Sequence, residues 1–177
     1  MLNDAVVREM FRRPAGEHIS GAQWVAGQLE ARERETPAVT SFSWAIVLAG
    51  TAAAIGLAQL SNISFYEGAE PALFLSPHHR SQGYGLEVVN ELVRWAFEDL
   101  VPYWARTGDG ADAGYRLGRV TALVMPQNTA SIRMLSKTAL VDGGVITVQV
   151  RPSGTTEARA FSLSRHEYQQ YKAGHAG

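Results

Sequence analysis

The chain has 177 residues, 46% of them hydrophobic and 19% charged, with 16 basic and 17 acidic side chains and a net charge of −1. That is enough for one hydrophobic core in a single domain spanning residues 1–177, and the two signs of charge are interspersed, so charge alone holds neither nucleic acid nor an anionic membrane. There is no cysteine, which removes disulfides, thiolate metal ligands and cysteine nucleophiles together and agrees with a reducing, cytoplasmic setting.

The N-terminal stretch MLNDAVVREMFRR carries charges throughout and lacks the apolar core of a signal peptide. Residues 5–11 and 19–34 read as two helices, the second with small or apolar residues at Ile19, Ala22, Val25, Ala26 and Leu29 and a solvated end, EARERET. The longest apolar stretch, from Trp44 to Ala58, is interrupted by Gly50 and Gly56 and falls short of the ~20 residues of a membrane-spanning helix. It reads as two strands, 41–48 and 52–60, joined around Gly50. A third, 70–76, is apolar enough to be buried on both faces. After the turn HHRSQGYG (78–85), Leu86, Val89, Leu92, Val93, Ala96, Phe97 and Leu100 recur at helical spacing. A polar, Gly-rich loop (105–118), a strand (119–125), a short helix (128–140) and a hairpin about Pro152-Ser153-Gly154 complete the pattern. Strands 70–76 and 119–125 are joined through a helix and should therefore be parallel, giving a mixed α/β fold. Trp44 and Trp95 are expected in the core, whereas Trp104 and Tyr103, before the Gly-rich loop, would line an acceptor site or simply cap the end of the helix.

The HHRSQGYG corner explains itself as an anion site. The first amides of a helix lack intrahelical partners and carry part of the macrodipole's positive end. Gly83 and Gly85 put no Cβ in the way of a diphosphate, and Arg80 adds a planar, charged donor at the rim. Two glycines at such a corner serve equally well as a tight structural turn. The dinucleotide fingerprint fails because Val88 stands where its third glycine belongs, and no Gly-Lys-Ser/Thr of a P-loop occurs.

Arg80-Ser81-Gln82-Gly83-Tyr84-Gly85 resembles the Gln/Arg-x-x-Gly-x-Gly/Ala signature of the GCN5-related N-acetyltransferases (GNAT), with a strand before it and a helix after it in that family's order. The segment VMPQNTASIRMLSKTAL, with Asn128 and Ser131 at its helix start, and the ending FSLSRHEYQQY are similar to the branch that acetylates ribosomal-protein N-termini. The resemblance implies a transferase that moves an acetyl group from acetyl-CoA to a primary amine, a protein N-terminus or a small molecule, by direct attack in a ternary complex and without a metal. It implies acetyl-CoA wedged between splayed parallel strands. The amides of Gln82, Gly83, Tyr84, Gly85 and Leu86 would hold the pyrophosphate with Arg80 at its rim, and the backbone of Phe74, Leu75 and Ser76 would pair with the pantetheine arm. Asn128 would bond that arm or the adenine-side phosphates, and Ser131 would protonate the departing thiolate. Read without the resemblance, Asn128 is a natural helix N-cap and Ser131 a helix-start hydroxyl.

For the base, Glu70 and Glu67 stand at the start of the strand leading to the cradle, where a carboxylate could accept the amine proton directly or through water, or merely be solvated. His78 and His79 lie beside the cradle as turn residues or as neighbours of the 3′-phosphate. Departures from the family pattern are the lack of a first strand before Asn3, which leaves an edge for a second copy in a homodimer, the long 105–118 insert, and Lys137-Thr138-Ala139-Leu140 in place of Lys-x-Gly-Phe, where alanine resists a left-handed helix stop. The readings from other classes are a non-catalytic acyl-CoA-binding or regulatory module and a structural subunit with a degenerate cleft.

Overall fold

The computed structural model describes residues 41–51, 53–64, 67–100, 116–150 and 154–175. The expected N-terminal helices, Trp24, the expected lack of a first strand, Tyr103, Trp104 and the body of the Gly-rich loop all fall outside the described residues.

The first apolar runs form an antiparallel meander of β1 (Phe42–Val47), β2 (Ala54–Ser64) and β3 (Gly68–Leu75). Gly50 turns the first hairpin with φ +75°, and Thr51 Oγ1 donates to the Leu48 carbonyl at 2.9 Å. β2 has no room for a side chain at Gly56, since a Cβ there would overlap the Phe74 carbonyl of β3. A short 3₁₀ turn, Pro77–His79, leads to α1 (Tyr84–Glu98), followed by β4 (Arg119–Val124), α2 (Thr129–Leu135), β5 (Val141–Val150), β6 (Gly154–Ser164) and α3 (Arg165–Gly174). The sheet order is β1-β2-β3-β4-β6-β5, antiparallel throughout except for the parallel pair β3/β4 that the crossover demanded.

α1 lays Val89, Leu92, Val93, Ala96 and Phe97 on one face of this sheet. Val89, Val93, Ala96 and Phe97 share one buried cluster with Leu60, Ala69, Val120, Ala122, Phe161 and Leu163, each large side chain contributing roughly 1.5–3 kcal/mol. Trp44 and Trp95 pack against the rim of this core, ring edge to face with centroids 4.9 Å apart. The last helix is tied down separately. Ser164 and Glu167 form a capping box at its start. The Arg165 guanidinium donates to the carbonyls of Leu117 (2.9 Å) and Phe97 (2.8 Å), and Tyr168 Oη donates to Glu98 at 2.7 Å.

Several boundaries differ from the sequence expectation. β2 runs on through Ser-Asn-Ile-Ser because β3 pairs with it as far as Ser64↔Gly68. α1 starts at Tyr84 because Gly83 already supplies the carbonyl for its first turn. β5 begins at Val141, where Gly143 and Gly144 lie at an irregularity in its pairing with β6. Among the described residues no helix is long and apolar enough to cross a membrane.

Candidate active site

The parallel strands β3 and β4 share a single bridge, Ala69↔Val120, although β3 continues to Leu75 and β4 to Val124. The sequence supplies a reason. Ser76 donates its amide to Ile55 at 2.8 Å, so in the antiparallel ladder the even-numbered residues of β3 spend their peptide groups on β2 and the odd-numbered ones face β4. Past Ala69 the next amide on that side belongs to Pro71, which has none to give. The ladder stops there and the strands part. Leu73 and Leu75 direct their peptide groups into the gap, and the Leu75 carbonyl accepts a hydrogen bond from Arg80 Nε at 3.1 Å. Of the three residues expected to line a pantetheine arm, Ser76 is thus bonded to β2, Phe74 has its peptide groups on the β2 side, and Leu75 faces the cleft.

At the open end of the gap the chain turns into α1 through two left-handed residues, Ser81 (φ +60°) and Gly83 (φ +92°). A non-glycine residue there is strained. Gln82 braces the turn, its Nε2 donating to the His78 carbonyl at 2.8 Å. The amides of Gln82, Gly83, Tyr84 and Gly85 have no acceptor among the described residues, while that of Leu86 closes the first turn on the Gly83 carbonyl at 3.0 Å. Arg80, Ser81 and this row of amides stand together at the carboxyl end of a parallel strand, an arrangement whose donors suit an anion.

The two glycines have separate tasks. A Cβ on Gly83 would meet no atom within 4 Å, so the space before it is open. A Cβ on Gly85 would stand 2.9 Å from Met134 Sδ and 3.7 Å from Leu75 Cδ1. Gly85 therefore lets α2 approach α1, a purpose that sequence spacing did not reveal.

Across the gap, Asn128 caps α2 by accepting the Ser131 amide on Oδ1 at 3.2 Å, and the Ser131 hydroxyl is left without a partner among the described residues. The stop of this helix needs no left-handed residue. Thr138 Oγ1 donates to the Leu135 carbonyl at 2.7 Å and accepts the Leu140 amide at 3.2 Å, which replaces the glycine stop that Ala139 could not provide.

Glu70 is the first residue of β3 beyond the bridge. Its Oε2 accepts Asn62 Nδ2 at 3.0 Å, and the Ser61 hydroxyl donates to its carbonyl at 3.4 Å. Glu67 is exposed, its amide bonded to Ser64 Oγ at 3.2 Å. His78 is exposed, and the buried Nδ1 of His79 has no hydrogen-bond partner among the described residues.

The acetyltransferase (GNAT) domain family matches residues 1–140. No curated protein matches by sequence. Among solved structures, a point mutant of the spermidine N-acetyltransferase SpeG from Vibrio cholerae superposes with a TM-score of 0.62 at 13% identity, covering 92% of this chain and 83% of that one. The spermidine N-acetyltransferase of Vibrio cholerae in complex with CoA and spermine gives 0.60 at 14% identity, over 86% and 79% of the two chains. A chimera of SpeG with hSSAT gives 0.61 at 14% identity, over 90% and 82%. The chain shares its fold with these proteins and belongs to the acetyltransferase (GNAT) family as an acetyl-CoA-dependent N-acetyltransferase.

Proposed function

We propose that this enzyme acetylates a small primary amine, with acetyl-CoA lying in the gap between β3 and β4 and its diphosphate on the Gln82–Gly85 amides. The observation that carries this reading is the single Ala69↔Val120 bridge, which opens the sheet where an acyl-pantetheine arm can pair with β3 as a strand would. Arg80 stands at the rim and steadies Leu75 by the bond from its Nε. Asn128 sets the start of α2, which presents the Ser131 hydroxyl.

The reaction asks for a neutral amine, a stabilised oxyanion and a proton for the leaving thiolate. The amine nitrogen attacks the thioester carbon, the C–S electron pair leaves on sulfur, Glu70 receives the proton lost by nitrogen, and Ser131, relayed by water, supplies the one taken up by sulfur. A small-molecule acceptor is favoured over a protein N-terminus because the structural neighbours named above are spermidine N-acetyltransferases, one of them holding spermine. The ribosomal-protein branch suggested by the Asn128 segment draws no support from them.

Thiol release from acetyl-CoA is the deciding measurement, with spermidine, spermine and a short peptide bearing a free N-terminus as acceptors. Turnover with the polyamines and not the peptide supports the proposal. Thermal stabilisation by acetyl-CoA without thiol release would leave a binding module instead. Ser131→Ala should lower kcat by about tenfold to a hundredfold with the KM for acetyl-CoA little changed. An unaltered kcat removes Ser131 from the mechanism.

A further inference from the structure

We propose that Asn62 is a positioning residue of the acceptor site: from a left-handed bulge in β2 it fixes one oxygen of Glu70, so that the other meets the incoming amine at the fork of the sheet. This rests on the transferase reading above.

The bulge itself is the first observation. Pairing of β2 with β3 slips between Ser61 and Ser64, and within that slip Asn62 takes φ +50°. Outside the cradle, where Ser81 has φ +60°, it is the one non-glycine residue with positive φ among the described residues. A bulge that only had to bend the strand would be served with less strain by glycine. Asparagine tolerates the left-handed region better than other side chains and adds an amide. Asn62 is exposed, so the side chain is not there to fill the core. What the amide does is donate to Glu70 Oε2 at 3.0 Å.

The second observation is where that carboxylate stands. Ala69 and Val120 form the only bridge between β3 and β4 and both belong to the core under α1. Glu70 and Thr121 follow them, so by the alternation of strands both lie past the bridge on the opposite sheet face. Ser61 pairs with Glu70 and Ser162 with Thr121, which draws a polar row, Ser61, Glu70, Thr121 and Ser162, across the sheet at the point where it divides. Glu70 is the acid of that row. With Oε2 held by Asn62, Oε1 has no partner among the described residues. An amine entering from this face meets Oε1 beside the start of the gap. Fixing one oxygen removes the rotation of the carboxylate that would otherwise have to be lost in the transition state.

Asn62→Gly separates this role from a structural one, because glycine adopts φ +50° freely and keeps the bulge. The variant should unfold at the same temperature as wild type or higher and should keep its thermal stabilisation by acetyl-CoA. With whichever probe of spermidine, spermine or peptide the wild type turns over, its kcat/KM for the amine should fall about tenfold, with the KM for acetyl-CoA unchanged. Asn62→Asp, which keeps the shape and removes the donor, should fall at least as far. Glu70→Gln should lose as much or more, and the double variant Asn62→Gly/Glu70→Gln should lose no more than Glu70→Gln alone, since the two act through one group. A folded Asn62→Gly with wild-type kcat/KM overturns this proposal alone. A wild type that binds acetyl-CoA and releases no thiol with any probe overturns the transferase reading and this proposal with it.

Discussion

Replacing Gly83 by alanine tests the cradle with little else disturbed. Gly83 caps α1 at φ +92°, ψ −22°, and an L-residue in left-handed backbone costs about 1–2 kcal/mol. No atom lies within 4 Å of the Cβ that would be added, so no packing penalty follows. For a chain of this size the melting temperature should fall by roughly 2–8 °C. Displacing a diphosphate from even one of the Gln82–Gly85 amides removes a charge-assisted bond of about 1.5–3 kcal/mol. Affinity for acetyl-CoA should therefore drop by about tenfold to a hundredfold. Gly85→Ala is the control. At a helical position alanine gains close to 1 kcal/mol over glycine, offset by crowding of the flexible end of Met134, whose Sδ lies 2.9 Å from the new methyl. Its melting temperature should stay near that of wild type. Thermal unfolding with and without acetyl-CoA, together with calorimetric titration, measures both quantities. A Gly83→Ala protein that binds acetyl-CoA as wild type does would refute the placement of the diphosphate.

Pro71→Ala returns to β3 the amide whose absence ends the parallel ladder; a hydrogen bond of about 0.5–1.5 kcal/mol to β4 then competes with the cofactor, and calorimetry should show acetyl-CoA binding roughly threefold to tenfold weaker. Unchanged affinity would mean that the fork is held open by something other than the missing donor. Glu98 accepts hydrogen bonds from Lys172 at 2.5 Å, Tyr168 at 2.7 Å and Arg94 at 3.3 Å, and these, Lys172 foremost, hold its carboxyl down at about 2. A folded-state value below the ordinary 4.5 stabilises the fold above that pH and is lost as pH falls from 4.5 towards 2. With the side chain 31% exposed, screening leaves about 1 kcal/mol of the effect. Glu98→Gln should lose about that much at neutral pH and show a shallower decline of melting temperature below pH 4.5, and a decline as steep as wild type would place the acid sensitivity elsewhere.

Those features of the fold that depend on local pattern were legible in the sequence. The spacing of Val89, Leu92, Val93, Ala96 and Phe97 marks the face that α1 buries, and a helix between two apolar strands is enough to make β3 and β4 parallel. Asn128 is an N-cap by residue type and is one in the structure. What was not legible depends on register. That Pro71 faces β4 rather than β2 follows only once Ser76 is known to bond to Ile55, and a shift by one residue would have made the proline harmless. Ser-Asn-Ile-Ser looks like the end of a strand by composition, yet β3 holds it in the sheet to Ser64 and so forces the bulge at Asn62. The missing side chain of Gly85 looks like clearance for an anion and instead admits Met134, a contact between helices far apart in sequence. The polar substitute for the glycine stop, Thr138, reads as an ordinary surface residue until its hydroxyl is seen to bridge Leu135 and Leu140.

The same backbone accounting joins the fold to the chemistry. Buried peptide groups have to find partners, and in a closed sheet each strand supplies them to its neighbours. Here the supply fails at Pro71, and β3 beyond it turns its odd-numbered peptide groups towards a strand that has moved away. Arg80 meets part of the deficit from within the chain by donating to the Leu75 carbonyl. Water can meet the remainder, and so can a ligand with amides and carbonyls of its own, spaced along an extended arm and ending in an anion that suits the corner at Gly83. Acetyl-CoA has that sequence of groups: thioester, peptide-like pantetheine, diphosphate. In the placement proposed above, with the diphosphate at the open end of the fork, the thioester lies towards the closed end, where Glu70 follows the Ala69↔Val120 bridge.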